Sequence, residues 1–281
     1  MVDTARPGLL DIVMSPVRLI ATDLDGTLLR DDGRISPRSR DAIRAAERAG
    51  LNVVFVTARP PRDVRDLAHK AGLDGIAVCS NGAILYDVVA DRFLHHERLA
   101  ADLALELIEA LRTKAPEIAF ATEHGHKFGY EPHFPQLFED TVHHHAPRVD
   151  HAHRLCEEEL TKLLVHHPGH GPASLAELVR READNRATVT HSGGPFIEIG
   201  APGVSKASGL RILCGQLGVS ADQVIAFGDM PNDLPMLRFA GRAIAVANAH
   251  PDVLAAAHEI TASNEEDGVA RAIEALLDRQ T

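Results

Sequence analysis

The 281-residue chain is short of cysteine, of basic charge and of long apolar runs, and each shortage removes a class of function. Its three cysteines, Cys79, Cys156 and Cys214, are an odd number without metal-ligand spacing. A disulfide framework is therefore not expected; the pattern fits a reducing cytoplasm, with the thiols as buried structural groups. Lysine and arginine total 29 against 40 aspartates and glutamates, for a formal net charge of -11. Phosphate-backbone binding needs a basic face, so nucleic acid is not an expected partner. Any anionic substrate must meet local positive charge or a metal ion. Nowhere do about 20 apolar residues run uninterrupted, as a membrane span requires. Residues 1–16 hold an apolar patch broken by Asp11 and no basic leading region, so they read as a loose extension rather than a signal peptide. Internal repeats and long low-complexity segments are also lacking. The expectation is a soluble, cytoplasmic protein, long enough for two domains that share a hinge.

What is present is a rhythm of short apolar runs and helical patterns. Residues 17–22 read as a strand that ends in the turn Asp23-Leu24-Asp25-Gly26-Thr27. Ser36-Pro37 opens a helix closed by Gly50, residues 52–57 form a second strand, Pro60-Pro61 begins a helix closed by Gly72, and residues 75–79 supply a third strand. Strand, helix, strand, helix, strand with short connections predicts a parallel sheet wrapped by helices. From about Ala83 the pattern changes to a short strand pair over 84–93, a helix over 100–114 and a stretch rich in His, Pro and Gly. Strands at 161–166, 187–191 and 196–199 and a helix at 173–183 suggest an inserted module. The parallel pattern returns with a helix at 205–217, a strand at 224–227 and the turn Gly228-Asp229. The expected fold is α/β: a Rossmann-like parallel-sheet core, residues 17–83 and 195–281, with an inserted α+β cap over 84–194.

In a parallel sheet, polar residues placed just after apolar strands converge at one edge. Asp23 and Asp25, Thr57, Asn81, and Asp229 with Asp233 occupy such places, and Lys206 starts a predicted helix whose dipole also favours an anion. Clustered carboxylates repel, and protonation or a cation relieves the repulsion. An all-oxygen ligand set points to Mg2+ rather than zinc, with Asp23 and Asp229 as direct ligands and Asp233 as a ligand or a support behind them.

These pieces, in this order, resemble the haloacid dehalogenase-like hydrolases, in particular the Cof-like branch with a large type IIB (C2) cap. The resemblance rests on Asp23-Leu24-Asp25-Gly26-Thr27, Val56-Thr57-Ala58-Arg59, Ser80-Asn81-Gly82-Ala83, Val204-Ser205-Lys206, Gly228-Asp229-Met230-Pro231-Asn232-Asp233 and Asn264-Glu265-Glu266-Asp267-Gly268-Val269, and it covers most of the chain. It implies a phosphatase in which Asp23 attacks phosphorus and forms an aspartyl phosphate. Asp25 would protonate the leaving alcohol and then activate water, with only its backbone carbonyl on the metal. Thr57 would hydrogen-bond a phosphoryl oxygen, Lys206 would neutralise charge, Asp229 would complete the metal site, and Asn232 and Asp233 would orient phosphate, water or Lys206. Ala58, Asn81 and Gly82 join Thr57, Lys206 and Asn232 as expected substrate contacts. Met230-Pro231 departs from the Asn or Gly usual in the family, which implies a stiffer loop with the chemistry intact. Thr27, where other members have Val, is similar to members that cleave phosphates.

Singly, each piece has a plainer reading. Asp25-Gly26 is a turn signal, Thr57 a strand-end hydroxyl, Lys206 a solvated helix residue, and Asn81-Gly82 either a tight turn or a substrate contact. Only their joint order carries the chemistry. Among the 17 histidines, His143-His144-His145, with His151 and His153, and the group His166, His167 and His170 read as a solvated cap surface rather than a metal site. Arg59 and Arg62 read as the surface start of a helix, with substrate contact as the alternative. The expected function is Mg2+-dependent release of phosphate from a small phosphorylated metabolite. The alternatives are a phosphomutase or phosphotransferase and a non-catalytic phosphometabolite sensor. Substrate choice is assigned to the cap, around residues 123–126 or 192–195. No seam or heptad decides the oligomeric state, and a homo-oligomer stays open.

Overall fold

The computed structural model describes residues 16–135 and 147–279. The expected N-terminal extension, save Pro16, and His143-His144-His145 lie outside the described residues.

The chain enters through β1 (Leu19–Thr22), whose four residues are all buried because helices cover both faces of the sheet. α1 (Pro37–Arg48) starts as the sequence dictates: Ser36 caps it by accepting the Ser39 N–H at 3.0 Å, and Pro37 fills a position where no N–H is needed. Its apolar stripe of Ala42, Ile43 and Ala46 packs into the core. β2 (Asn52–Val56), α2 (Pro61–Ala71) and β3 (Ile76–Cys79) follow, and α2 ends at Gly72 in the left-handed conformation. Then come β4 (Ile84–Asp87) and β5 (Arg92–His96), α3 (Ala101–Lys114), β6 (Ala119–His124), β7 (Lys127–Tyr130), β8 (Arg148–Val149) and α4 (Ala152–Leu155). β9 (Lys162–His166), α5 (Pro172–Ala183), β10 (Thr188–Thr190) and β11 (Ile197–Gly200) lead to α6 (Lys206–Leu217). The chain finishes with β12 (Val224–Gly228), α7 (Leu234–Phe239), β13 (Arg242–Ala245), α8 (Pro251–Ala256), β14 (Glu259–Ile260) and α9 (Gly268–Asp278).

Two sheets result. The eight-stranded core sheet runs β14-β13-β12-β1-β2-β3-β4-β5, parallel from β14 to β3 and antiparallel at β4 and β5. The six-stranded sheet runs β10-β11-β9-β6-β7-β8, antiparallel except where β7 meets β8. Each has its own apolar core: one around Ile20, Phe227 and Ile43, another where Leu107, Leu111 and Val179 of α3 and α5 cover Phe120, Leu163 and Ile199. Each fully buried Leu or Ile stabilises its sheet by roughly 1.5–3 kcal/mol.

The domain limits expected from the sequence, 83/84 and 194/195, differ from where the sheets exchange. β4 and β5 belong to the core sheet, because the turn at Ser80–Gly82 folds β4 back onto β3 and the turn after Asp87 folds β5 back onto β4. There the Asp87 side chain accepts the N–H groups of Val89 and Ala90. β11 belongs to the smaller sheet, paired to β9. The cap therefore reaches from Leu99, which bridges Leu160, to Gly200, with its sheet beginning at β6. Two strands, β6 and β7, stand where the sequence showed only a His-, Pro- and Gly-rich stretch. Among the described residues no helix is long and apolar enough to cross a membrane.

Candidate active site

The parallel strands deliver their following loops to one edge. Asp23 follows β1, Thr57 follows β2, Asn81 follows β3 and Asp229 follows β12, while Lys206 is the first residue of α6. Ser205 caps that helix by accepting the Ser208 N–H at 3.2 Å. Lys206 is 1% exposed, and its ammonium donates to Asp23 Oδ1 and to Asp233 Oδ1, each at 2.6 Å. The other Asp233 oxygen accepts the N–H groups of Asp229 and Met230, both at 3.0 Å, so Asp233 ties the loop to the lysine. Pro231 opens the short helical turn Pro231–Asp233, where its missing N–H leaves no gap.

Asp23, Asp229 and Asp233 can each offer an oxygen within 4.8 Å of the others, and all three are buried. Burial pushes the Asp23 carboxyl well above the ordinary carboxylate range; Lys206 opposes the rise, while Asp233 and Asp229 add repulsion. Asp229 is pushed up to about 6, by burial first and by Asp233 second, against the Thr27 hydroxyl, which donates to its Oδ1 at 2.8 Å. Lys206 itself is raised, since its two carboxylates outweigh the burial that opposes its charge. One ammonium does not balance three buried carboxylates. A hard divalent cation with a preference for oxygen ligands would, and the donor set fits Mg2+.

Gly26 is required here. Its φ is +75°, and a Cβ would stand 2.4 Å from Asp229 Oδ2. Asp25, by contrast, turns its carboxylate away from the cluster. Arg59 grips it at 2.6 and 2.8 Å, and its side chain is 52% exposed.

Thr57 is fully buried, and its hydroxyl accepts the Arg59 N–H at 3.1 Å. Asn81 sits at φ 56° and donates to Glu198 and, at 3.3 Å, to Thr190; its own oxygen accepts from Asn232 at 3.1 Å. Both asparagines thus join the core to the cap or to each other. Gly82 allows a close approach: a Cβ would lie 2.0 Å from the Ser205 carbonyl oxygen, beside the start of α6. The Ala58 carbonyl accepts from Lys162 of the cap at 2.8 Å.

The cap contributes a polar face of its own. In the register of β6, β9 and β11, Glu123 opposes Lys162 and Leu164 opposes Glu198, so the four share one face. Phe120, Leu163, Val165, Ile197 and Ile199 line the other face, within the cap core. Lys162 lies 3.1 Å from Glu198 and 3.5 Å from Glu123, and Arg62 of α2 donates to Glu123 at 3.2 Å. Arg62 is 9% exposed, and Arg59 is bound to Asp25, so neither is the free surface arginine that the helix-start reading suggested. Lys162 and Glu198 were not singled out in the sequence, although one charge within an apolar strand, as in Ile197-Glu198-Ile199, was the available signal. Of the cap segments suspected, Glu123 and Ser192 line the cavity.

That cavity, about 240 Å3, has Asp23, Asp25 and Lys206 on one side and Glu123, Lys162, Ser192 and Glu198 on the other. A groove of about 1070 Å3 lies against Asn81, Lys206 and Asn232 and runs along α5 and β10. A third, of about 550 Å3 beside Asp32 and Lys70, shares only Arg59 and Asp63 with the first cavity and is lined by none of the three clustered aspartates.

With Asp23, Lys206 and the acidic loop on one sheet edge, the family model of haloacid dehalogenase-like hydrolases matches residues 20–273. The chain belongs to that family. It is 32% identical over 273 residues to the 5-amino-6-(5-phospho-D-ribitylamino)uracil phosphatase YcsE of Bacillus subtilis, covering 92% of this chain and 94% of that one. A haloacid dehalogenase-like hydrolase from Bacteroides thetaiotaomicron superposes with a TM-score of 0.76 at 27% identity, over 92% of this chain and 99% of the other. A subclass IIB sugar phosphatase shares the fold with a TM-score of 0.80 at 21% identity, over 92% and 98% of the two chains. The family expectation therefore holds: this is a hydrolase of the phosphatase kind, with a Rossmann-like core and a cap. Cys79, Cys156 and Cys214 are free and buried. His153 pairs with Glu109 at 2.7 Å, and His167 packs edge-on against His170.

Proposed function

We propose that the protein is a Mg2+-dependent phosphohydrolase that releases phosphate from a small phosphorylated metabolite through an aspartyl phosphate on Asp23. The observation that carries this reading is the Asp23 carboxylate: 5% exposed at the end of β1, held at 2.6 Å by Lys206 and grouped with Asp229 and Asp233. Lys206 fixes one oxygen of Asp23, leaving the other to attack phosphorus. As the new O–P bond forms and the ester P–O bond breaks, Asp25 gives its proton to the leaving alcohol. In the geometry described Arg59 occupies both Asp25 oxygens, so this transfer needs that grip to open as substrate enters. In the second half, Asp25 takes a proton from water, the water oxygen attacks phosphorus, and the Asp23–phosphorus bond breaks to release inorganic phosphate.

Thr57, the backbone near Ala58, and Lys206 bind the phosphoryl oxygens, and Asn81 and Asn232 hold the far side of the loop. Gly82 lets this loop lie against the start of α6. Asp23 and Asp229, with the Asp25 backbone carbonyl, would hold Mg2+. Both Asp233 oxygens already accept hydrogen bonds, which favours a supporting role for it. The ion supplies charge neutralisation for a transition state rich in negative oxygen.

Phosphate release from a panel of sugar phosphates, nucleotides, pyridoxal and flavin phosphates and the phosphoribitylamino-uracil for which the relative is named tests the reading. Each is assayed with Mg2+, with chelator and with Asp23→Asn. Turnover that needs Mg2+ and vanishes in Asp23→Asn is the expected result. Folded protein silent on the whole panel, or active only as a mutase primed by a sugar bisphosphate, would displace it.

A further inference from the structure

The wall of the cavity opposite Asp23 carries groups that the phosphoryl-transfer chemistry does not use. Glu123 is 3% exposed, and its Oε2 accepts no hydrogen bond. Lys162 stands 3.5 Å from that oxygen, too far for a hydrogen bond, and directs its ammonium to the Ala58 carbonyl and to Glu198. A buried carboxylate oxygen without a donor is costly, commonly about 1–3 kcal/mol, and calls for an explanation. Asn232 Oδ1, on the same cavity, also accepts nothing. Glu198 differs. Its oxygens accept from Lys162, Ser192, Thr190 and Asn81, so it is satisfied within the protein.

The cations of the cavity are committed as well. Arg59 is held by Asp25, Lys162 by Glu198, and Lys206 by Asp23 and Asp233. Among the described residues that line the cavity, the open groups are acceptors and each cation already holds a carboxylate; Arg62, behind the lining, gives one N–H to Glu123 Oε1 and leaves its Nε and Nη1 without a hydrogen bond. A ligand completes the wall by bringing hydrogen-bond donors, and a second anionic group would face Glu123 across a cavity of about 240 Å3.

We infer that Glu123 is a specificity-determining residue that accepts a hydrogen bond from a hydroxyl or amino group of the leaving alcohol, so that the cavity selects monophosphate esters of small donor-bearing alcohols and rejects esters with a second anionic group. The inference rests on the phosphohydrolase reading above. It narrows the substrate class to compounds such as polyol or amino-polyol monophosphates, and it places bisphosphates and phosphorylated acids outside.

The experiment compares kcat/KM of wild type, Glu123→Gln and Glu123→Ala on ribitol 5-phosphate, glucosamine 6-phosphate, fructose 1,6-bisphosphate and phenyl phosphate. Phenyl phosphate carries no donor beyond the ester. Wild type should prefer the first two over the bisphosphate by at least tenfold. Glu123→Ala should lose roughly tenfold or more on a polyol ester relative to its own loss on phenyl phosphate, the worth of a hydrogen bond to a charged group. The Glu123→Gln variant keeps the shape of the side chain, and because each variant is read as a ratio, a general folding defect cancels. Equal losses on both esters, no loss, or a wild type that favours the bisphosphate would overturn the inference. Loss of phenyl phosphate turnover in Asp23→Asn checks the phosphohydrolase reading separately. If that check fails, calorimetric binding of ribitol 5-phosphate and fructose 1,6-bisphosphate to Asp23→Asn, with and without Glu123→Ala, reads the same preference.

Discussion

Removal of Mg2+ should make the protein less stable as pH rises, the reverse of a surface carboxylate held by a salt bridge. Asp229 goes from an ordinary 3.8 to about 6 in the folded state, and Asp23 is also raised. Between those values the folded state binds more protons than the unfolded state, so stability falls as pH rises. The loss begins near pH 4 and, for Asp229, is complete just above 6. For Asp229 alone it amounts to about 3 kcal/mol, since each pH unit is about 1.4 kcal/mol. On a domain of 150–250 residues this is roughly 6–12 °C in melting temperature. Added Mg2+ competes with the protons and should restore stability at pH 7.5 far more than at pH 5. Thermal melts of chelated and Mg2+-loaded protein from pH 4.5 to 8 measure both effects. A metal-free stability that is flat or rising over that range, or Mg2+ stabilisation equal at both pH values, would rule out a proton-linked cation site at these aspartates.

Other perturbations reach other parts of the account. Gly26→Ala adds a Cβ 2.4 Å from Asp229 Oδ2 at φ +75°; the backbone alone costs about 1–2 kcal/mol, and Mg2+ affinity by calorimetry should fall at least tenfold. Lys162→Met leaves Glu123 and Glu198 buried without their ammonium, and urea denaturation should show a loss of about 3–5 kcal/mol. The thiols should ignore an aromatic disulfide reagent in the native protein and titrate only in urea, because all three are buried and burial pushes Cys214 up to about 11 and Cys156 up to about 12.

The core was legible because each chemical residue follows an apolar run. Asp23 ends 19–22, Thr57 ends 52–56, and Asp229 ends 224–228, so strand ends alone bring them to one edge. The Ser36-Pro37 cap and the Gly72 stop fixed α1 and α2 by local chemistry. The cap was harder to read. β6 (Ala119–His124) buries its first five residues, polar ones included, so it shows no alternation, and Thr122 and Glu123 disguise it as a loop. The sheet membership of β4 and β5 depends on pairing with β3 across a turn, which periodicity does not report. The partners of Arg59 and Arg62 were hidden for a similar reason. Asp25 and Glu123 lie 34 and 61 residues away in the chain, and only the folded edge joins them.

Acid quenching during turnover of phenyl phosphate, followed by borohydride reduction and peptide mass spectrometry, shows which side chain carries the phosphoryl group. An acyl phosphate on the nucleophile reduces to homoserine. Homoserine is expected at position 23, formed only with substrate and Mg2+. Unmodified Asp23 during active turnover, or homoserine at another aspartate, would contradict it.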